Sequence, residues 1–426
     1  MRYFIPEWDD LIDDRYDFWN DRPLPDAKKV YAHEIFESPN YDGILVSRVK
    51  LLENKSKLQR IYEEGIHSFL RFNGPVFGDC GAWGYINEDK PPFKTKETIE
   101  YYEKIGVNYG VSIDHLCAIP DEKVKRFRHK LTIKNAERFY QVYNSDEYSF
   151  RPVGACQGYN PETYYESVKE ILDIGYDYIA LGGLARAPTN QIIEILKNIQ
   201  DLIQGKNIDL HIFGVARLEA VKIFRSLGVT SIDSASPLRS AWLGSEKNYR
   251  TMQWEGYSAI RLPFLSKTKK YIKKAAKQGI SVKELKEFED SLYAMLRRFE
   301  FEKDRTPEEI AEAFEMLNKM IDLGRDRQED YIRTLRDRPW EKCPCTICKN
   351  CGMDVIIFRG NNRNRRRGFH NTYVFYQLLQ KLLNDDDFEL PEVSNSSKKV
   401  SKTKQQKEIK NIPSLNLFFK EKHEKK

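Results

Sequence analysis

The sequence predicts an α/β fold in which eight parallel strands and their helical crossovers close into a (β/α)8 TIM barrel. Two observations predict it. Short β-branched and apolar runs alternate with amphipathic helical patterns through the first 260 residues, which is typical of parallel sheets. The runs also number eight and recur at regular intervals, as a closed barrel requires. A doubly wound open sheet is the alternative, because periodicity does not distinguish a closed sheet from an open one.

The predicted strands are short apolar runs with the length of buried strands. They lie at residues 44–49, 75–79, 109–114, 152–157, 178–182, 210–214, 231–233 and 259–262. Between them, apolar residues recur with the helical period at residues 94–105, 122–143, 161–174, 189–204 and 217–227. The order of strand and helix patterns is therefore that of a barrel.

Polar side chains and glycines stand at the C-terminal ends of several predicted strands. They are Asp79, Asp114, Gln157, the Gly182-Gly183 pair and Asp233. Barrel enzymes place their chemistry at this rim. One aspartate there is commonly a helix N-cap, but capping alone does not explain three aspartates, one glutamine and a diglycine. We therefore predict an active site at this end of the barrel.

Positive charge is concentrated in three segments. The net charge is +6, yet residues 393–426 alone carry ten lysines and three glutamates. Residues 267–283 contain seven lysines and no acid, and residues 359–367 contain five arginines and no acid. Such runs are often solvated surface, but three of them in one chain predict a polyanionic partner.

The sequence predicts neither a membrane span nor a secretory signal. No apolar run approaches the roughly 20 residues that cross a bilayer. The first residues, MRYFIPEWDDLIDD, are acidic where a signal peptide is basic. The seven cysteines of such a chain do not indicate a disulfide framework. We therefore expect a cytoplasmic protein.

Four of the seven cysteines are crowded into nine residues. Cys343, Cys345 and Cys348 form a Cys-x-Cys-x2-Cys pattern, and His370 follows 22 residues later. Three thiolates and one imidazole suit the tetrahedral coordination of Zn²⁺, and Cys351 competes with His370 as the fourth ligand. Four protein ligands leave no open position, so we predict a structural zinc ion.

These patterns divide the chain into four parts. Residues 1–265 form the predicted barrel core with the active site, and residues 266–338 form a basic helical insertion. The insertion contains a capped helix start, Thr306-Pro307-Glu308-Glu309. Residues 339–390 form a zinc-binding subdomain with a closing helix. Residues 391–426 form a Lys-rich tail that is predicted to be disordered.

Several segments together resemble a known family. In order along the chain, five segments and the Cys-x-Cys-x2-Cys…His pattern resemble motifs of the guanine transglycosylases, typified by the tRNA-guanine (queuine) enzymes, which exchange a base in nucleic acid. The segments are FGDCGAW at 77–83, GVSID at 110–114, GACQG at 154–158, GYDYIALGGLA at 175–185 and the stretch 213–233. The resemblance extends from residue 75 to residue 370, interrupted by the insertion.

The resemblance implies a role for each rim residue. Displacing a base at C1′ passes through an oxocarbenium-like state that a carboxylate can trap covalently. Asp233 is the implied nucleophile, which forms a glycosyl-aspartyl intermediate, and Asp79 is the implied general acid/base. The implied base-binding residues, which meet the edge or the faces of the guanine, are Asp114, Gln157, Gly182, Gly183, Trp83 and Phe213.

Basic residues are expected to hold the nucleic-acid backbone without reading its sequence. Besides the lysine run at 267–283, they are Arg239, Arg363, Arg365, Arg366 and Arg367. The alternative for the arginine run is a solvated loop beside the zinc site.

Three departures from the tRNA enzymes bear on the substrate. Ala82 stands where their loop has a second glycine, Pro237-Leu238-Arg239 replaces Pro-Thr-Arg, and Arg186-Ala187-Pro188 replaces Val-Gly-Glu. With them, the chain looks most like the branch that inserts 7-deazaguanine derivatives into DNA. The expected partners are DNA and a free 7-deazaguanine base, 7-cyano-7-deazaguanine.

Two other functions remain open, namely the same chemistry on tRNA and a non-catalytic nucleic-acid-binding accessory subunit. Retention of both Asp79 and Asp233 argues against the accessory subunit. The tRNA relatives also suggest a homodimer.

The tail contains an apolar cluster, SLNLFF at 414–419, in a Lys-rich and Ser-rich segment. Leu415, Leu417, Phe418 and Phe419 resemble short sliding-clamp-binding peptides, although the usual leading glutamine is absent. We expect either clamp binding, which raises the effective concentration on DNA, or packing of this cluster onto the barrel.

Overall fold

The computed structural model describes residues 1–244, 246–301, 305–324 and 326–391. Eight parallel strands form a closed barrel, and each pairs with its neighbours in chain order. They are β1 (Arg2–Pro6), β2 (Gly43–Ser47), β3 (Val76–Asp79), β4 (Tyr109–Val111), β5 (Arg151–Cys156), β6 (Tyr178–Leu181), β7 (Asp209–Ile212) and β8 (Ser231–Asp233). The strand β8 pairs with β1 and so closes the ring. The predicted barrel is confirmed, and the open-sheet alternative is wrong.

One barrel strand differs from the prediction. The predicted strand at 259–262 lies outside the barrel, where Ile260–Arg261 pairs in parallel with Ile357–Phe358. The barrel uses β1 instead. Its five residues, RYFIP, include three that favour strands, but the run is short and ends in a proline. Tyr3 and Phe4 are nevertheless fully buried, since both faces of a parallel barrel strand are covered.

Helices follow the strands around the barrel. They are α1 (Arg48–Leu52), α2 (Lys55–Glu64), α3 (Ile66–Leu70), α4 (Thr95–Ile105), α5 (Glu122–Tyr143), α6 (Pro161–Ile174), α7 (Thr189–Asn198), α8 (Gln200–Ile203), α9 (Val221–Ser226) and α10 (Ser236–Leu243). Local sequence fixes their ends. In α6, Asn160 caps the first turn, Pro161 occupies it, and Gly175 ends the helix with φ +119°.

The barrel interior is apolar in its lower part. Alternate strand residues point inward and form one buried cluster of Phe4, Leu45, Phe77, Val111, Val153, Ala155, Tyr178 and Ala180. The polar residues at the strand ends lie above this layer. This buried layer supports the rim.

The insertion is helical, as its composition predicts. Its helices are α11 (Lys269–Lys277), α12 (Val282–Phe301), α13 (Pro307–Ile321) and α14 (Gln328–Asp337). Thr306 and Glu309 form the predicted capping box at the start of α13. Leu285, Leu292 and Leu296 of α12 are buried in the core. The bounds of the four parts of the chain stay predictions.

Two helices, α15 (Thr346–Cys351) and α16 (Gly360–Asn384), follow the insertion, and α16 packs against α10. Short strand pairs join Ile12–Asp13 to Lys29–Val30, Tyr16–Asp17 to Arg22–Pro23, and Tyr249–Arg250 to Gly256–Tyr257. Among the helices described, none has the length and apolar character needed to cross a membrane.

Candidate active site and metal centre

A cavity of 630 Å³ opens at the C-terminal ends of the barrel strands. This is the rim at which the sequence predicts chemistry. The structure brings nine predicted site residues to its wall, namely Asp79, Trp83, Asp114, Gln157, Gly182, Gly183, Phe213, Asp233 and Arg239.

Asp79 ends strand β3 and is largely enclosed. Burial, followed by the nearby carboxylates of Asp114 and Asp233, raises its pKa to about 8. The loop after it turns at Gly81, whose φ is +86° and whose N–H donates to Asp79 Oδ2 at 2.9 Å. The raised pKa keeps a proton on Asp79 at neutral pH, so this carboxyl can act as an acid.

Asp114 and Gln157 form a hydrogen-bonded pair with two unused acceptors. Gln157 Nε2 donates to Asp114 Oδ2 at 2.6 Å. Asp114 Oδ1 and Gln157 Oε1 are buried and have no hydrogen-bond partner in the part of the chain that the structure describes. Burial raises the pKa of Asp114 to about 6, although the Gln157 hydrogen bond opposes the rise. Buried acceptors without donors cost free energy, so this pair fits a ligand edge with adjacent N–H groups, such as that of guanine.

The diglycine after β6 makes room for this pair. A Cβ on Gly182 would lie 2.0 Å from Gln157 Nε2, so any side chain there would displace Gln157. Gly183 has φ +79°, where a side chain is strained. The hydroxyl of Tyr164 donates to Gly182 O at 2.7 Å and fixes the turn.

Asp233 ends strand β8 and is held through one of its two oxygens. His211 Nε2 lies 3.1 Å from Oδ1 of Asp233, and Gly214 N–H donates to the same oxygen at 2.8 Å. Oδ2 makes no hydrogen bond with any residue that the structure describes. The carboxylate is thus oriented, and one of its oxygens is left for a reaction.

Aromatic side chains with arginines beside them border the cavity. Trp83 is 45% exposed, and the Arg186 guanidinium lies 5.2 Å from its ring centroid. Trp8 is 41% exposed, and the Arg239 guanidinium lies 4.5 Å from its ring centroid. Phe213 lines the cavity wall. Exposed aromatic rings of this kind can stack on a planar base. The arginines beside them can bind the phosphates of a nucleic acid.

The chain also matches the family model described as "Queuine tRNA-ribosyltransferase" over residues 26–383. The chain belongs to this family. Members act on a guanine base in nucleic acid, so the protein is a guanine transglycosylase, a pentosyltransferase. The resemblance and the enzyme class predicted from the sequence are both confirmed.

Among its relatives is a DNA-guanine transglycosylase of Salmonella montevideo, which is 36% identical over 413 residues, covering 90% of this chain and 97% of that protein. The tRNA-guanine(15) transglycosylase of Methanococcus aeolicus is 25% identical over 205 residues, covering 46% of this chain and 31% of that protein. The corresponding enzyme of Nanoarchaeum equitans is 25% identical over 228 residues, covering 51% of this chain and 50% of that protein. The similarity to these two tRNA enzymes therefore extends over half or less of their length.

The predicted metal ligands of the transglycosylase converge. The ligand atoms of Cys343, Cys345, Cys348 and His370 all lie within 4.8 Å of one another. His370 Nδ1 stands 3.5, 3.4 and 3.3 Å from the three sulfurs, and its Nε2 lies 2.7 Å from Arg250 O. A hydrogen bond from Nε2–H to this carbonyl leaves Nδ1 free to bind a metal. The Cys3His cluster can therefore hold a metal ion.

Cys351 does not belong to the metal cluster. It is the last residue of α15, is 8% exposed and belongs to the hydrophobic core. Burial raises the pKa of its thiol to about 12. Of the two candidates for the fourth ligand, the structure places His370 with the three cysteines.

The arginine run at 359–367 is mostly interior, and the prediction of phosphate contact is wrong for three of its residues. Arg363, Arg366 and Arg367 are 1%, 6% and 0% exposed. Arg363 pairs with Asp21 and Asp354. The other two guanidiniums donate to backbone carbonyls of other elements. Enclosed and fully bonded guanidiniums cannot reach a phosphate. The solvated-loop alternative is wrong for the same reason.

Arg239 and Arg365, unlike the three interior arginines, line a second cavity of 310 Å³. Trp8 and Arg239 border this cavity and the larger one, so the two cavities adjoin. Arg365 donates to Leu11 O at 2.6 Å and is only partly buried. In the lysine run, Lys267, Lys269, Lys270, Lys273 and Lys277 are exposed.

The sequence-based site missed His211, Ser231 and Trp8. Strand periodicity carried a signal for the first two. His211 lies two positions before Phe213, and Ser231 lies two positions before Asp233, so each shares the inward face of its strand. Trp8 follows β1, the strand that the prediction missed.

Proposed function

We propose that this enzyme exchanges guanine in DNA for a 7-deazaguanine base, 7-cyano-7-deazaguanine, through a covalent glycosyl-aspartyl intermediate. The observation that carries the proposal is the 36% identity to a DNA-guanine transglycosylase over 90% of the chain. The two archaeal tRNA relatives align with only about half of the chain. A guanine in duplex DNA must leave the base stack to reach such a pocket.

Asp114 and Gln157 bind the edge of the base in this proposal. The two unpartnered oxygens accept from the N–H groups of guanine, and the diglycine backbone approaches the ring because no Cβ intervenes. Trp83 and Phe213 contact the ring faces. Both guanine and a 7-deazaguanine present the same N–H edge, so one site serves the departing and the incoming base.

Asp233 is the nucleophile of the first half-reaction. Its free oxygen forms a bond to C1′ while the bond from C1′ to N9 breaks, and the electron pair leaves with guanine. Asp79 gives its proton to the departing purine. The different surroundings of the two carboxyls support this division of roles, because Asp79 is kept protonated and Asp233 is held by two donors.

The second half-reaction reverses these steps with the new base. N9 of the incoming base attacks C1′, the ester to Asp233 breaks, and the proton from N9 passes to Asp79. Protons and electrons therefore balance over the cycle, and no oxidant or reductant is needed.

The Cys3His cluster fits Zn²⁺ by the chemistry of its donors. Zinc there would be structural, since the four side chains leave no open position. Cys343, Cys345 and Cys348 would bind it with His370, joining α15 and the segment before it to α16.

Backbone phosphates are assigned to Arg239, to Arg365 and to the exposed lysines at 267–283. The first two lie on the cavity beside the base pocket, and α11 presents a basic surface. A homodimer and a cytoplasmic location stay expectations. The apolar cluster with Leu415, Leu417, Phe418 and Phe419, for which clamp binding was one of two expectations, lies outside the described residues.

The test is nucleoside mass spectrometry of DNA and tRNA from cells with and without this gene, with purified enzyme assayed on both substrates. We expect the modified nucleoside in DNA, and its appearance only in tRNA would overturn the proposal. Asp233→Ala should abolish exchange and leave DNA binding intact. Exchange that persists in this variant would contradict the assigned nucleophile, and binding without exchange in the unaltered chain would indicate an accessory subunit.

A further inference from the structure

A chain of hydrogen bonds runs from Asp233 into the barrel interior. His211 Nε2 lies 3.1 Å from Asp233 Oδ1, and His211 Nδ1 lies 2.9 Å from Ser231 Oγ. Ser231 Oγ lies 2.7 Å from the Tyr178 hydroxyl. His211, Ser231 and Tyr178 are all 0% exposed. Three strands, β6, β7 and β8, thus connect the proposed nucleophile to a buried tyrosine.

The residues at the two ends of this series of hydrogen bonds, Tyr178 and Asp233, determine which atom donates in each bond. Burial raises the pKa of Tyr178 to about 12, so its hydroxyl keeps its proton. When this hydroxyl donates to Ser231, Ser231 donates to His211 Nδ1, which then carries no hydrogen. At the other end, an ionised Asp233 requires a donor at Nε2, because two facing lone pairs repel each other. This arrangement of donors places a hydrogen on Nε2 of His211 and leaves Nδ1 to accept from Ser231.

The two donors on Asp233 act on one oxygen. Gly214 N–H and His211 Nε2–H both meet Oδ1, whereas Oδ2 meets no hydrogen-bond partner in the described parts of the chain. A carboxylate fixed in this way presents one oxygen in one orientation. Near-attack geometry of this kind lowers the cost of bringing nucleophile and substrate together.

We propose that His211 is a positioning residue for the base exchange, locked in its Nε2–H tautomer by Ser231 and Tyr178 so that Oδ2 of Asp233 is the attacking atom. The inference rests on the proposed role of Asp233 as nucleophile. It assigns to a buried histidine a function that its apolar surroundings, the rings of Phe4, Phe77 and Phe213, do not explain. Packing alone would be served by any side chain of similar size.

The test measures adduct formation by the purified full-length chain on a guanine-containing DNA oligonucleotide without an acceptor base. Intact-protein mass spectrometry of denatured samples gives the rate constant at saturating DNA and the half-saturating DNA concentration. His211→Leu should lower the rate constant by about 100-fold and leave the half-saturating concentration about the same. His211→Gln should restore most of the loss, because the amide Nε2 can also donate to Oδ1.

Substitutions farther from Asp233 along these hydrogen bonds should lower the rate constant less. Ser231→Ala removes the group that fixes the tautomer, and Tyr178→Phe removes only the donor to Ser231. The losses should therefore fall in the order His211→Leu, Ser231→Ala, Tyr178→Phe. The matched control is His129, another buried histidine, whose Nε2 lies 3.0 Å from Thr163 O. His129→Gln should leave the rate constant unchanged.

The outcomes separate this inference from the proposed function. No adduct with the unaltered chain, or an adduct that survives Asp233→Asn, would overturn the proposed nucleophile. An adduct with the unaltered chain that forms equally fast in folded His211→Leu would overturn the positioning role alone. Equal losses in His211→Leu and His211→Gln would also overturn it, since packing and not donation would then matter. Circular dichroism establishes which variants are folded.

Discussion

Two groups of buried carboxylates in this transglycosylase differ in their surroundings. In the base pocket, Asp79, Asp114 and Asp233 line one cavity, and none forms an ion pair with a lysine or arginine that the structure describes. Beside the C-terminal helix, a second group of three acids meets arginines, and we call it the arginine cluster. It comprises Asp21, Glu289, Asp354, Arg297, Arg359 and Arg363.

The arginine cluster is balanced. Glu289 lies 2.7 Å from Arg359, and Asp354 lies 2.9 Å from the Nε of Arg363. These pairs join the N-terminal segment and the insertion to α16, and each carboxylate of the cluster has an arginine partner. The base pocket instead keeps unpaired carboxyls and raised pKa values, which cost stability and which catalysis uses. Balanced buried charge therefore marks structure here, and unbalanced buried charge marks function.

The metal cluster extends the comparison and carries the largest expected effect. Three cysteine side chains crowd together with no arginine in their group, so a bound cation would balance the charge of their thiolates. Zinc binding at such sites contributes about 10–16 kcal/mol to folding. Chelation should therefore unfold the C-terminal part, as followed by circular dichroism and limited proteolysis.

Single variants identify the fourth ligand. By metal analysis, Cys348→Ser should lose zinc and Cys351→Ser should keep one ion per chain. Zinc retained in His370→Ala but lost in Cys351→Ser would move the ligand to Cys351.

In the base pocket, substitution of a carboxylate should mainly lower the rate of base exchange. Asp233→Asn keeps the shape but removes the charge, so adduct trapping should vanish and exchange should fall by about 10⁴-fold or more. Asp79→Asn should lower exchange by about 10²–10⁴-fold, as expected for a general acid. Trapping that vanishes in Asp79→Asn and persists in Asp233→Asn would exchange the two roles.

In the arginine cluster, substitution of a carboxylate should mainly lower the free energy of unfolding. Asp354→Asn removes one of the two negative charges that balance buried Arg363, so the free energy of unfolding should fall by about 3–5 kcal/mol. The matched change in the pocket, Asp114→Asn, removes an unpaired carboxyl and should leave that free energy equal or higher. Urea denaturation of both variants measures the difference. Equal losses would remove the distinction between the two regions.

The pH dependence of stability should follow Asp79. Its pKa is 3.8 ordinarily and about 8 in the folded chain, so only the folded state holds this proton between those values. The stability that this proton contributes is fully present below pH 3.8 and is lost as pH rises towards 8. The melting temperature of Asp79→Asn should therefore rise relative to that of the unaltered chain across this range. A constant difference would show that Asp79 ionises normally.

The smallest expected effect concerns phosphate contact outside the pocket. Arg239→Ala and Arg365→Ala should each lower the slope of log affinity against log salt concentration by about 0.9 for duplex DNA. Exchange at saturating DNA should change little. The control is Arg60→Ala, an exposed residue outside both cavities. An unchanged slope in both variants would exclude these arginines from the backbone contact.

The sequence by itself determined the features that depend on the order of nearby residues along the chain. Strand and helix periods predicted the barrel, and the residues that follow each strand placed Asp79, Asp114, Gln157 and Asp233 on one rim. Strand ends converge in any closed parallel barrel, so position along a strand was sufficient. Cysteine spacing predicted the metal cluster in the same way, because three ligands on one turn need no distant partner.

Only the tertiary structure decided which residue completes a site when its partner is remote in sequence. Arg363 is interior because Asp21, 342 positions away, lies beside it, and a run of arginines does not show that pairing. Closure of the barrel by β1, the choice of His370 over Cys351 and the contact of His211 with Asp233 likewise depend on packing between separate elements. Burial and pairing depend on residues that are distant in sequence and meet only in the folded protein, whereas periodicity and spacing can be read from the sequence alone.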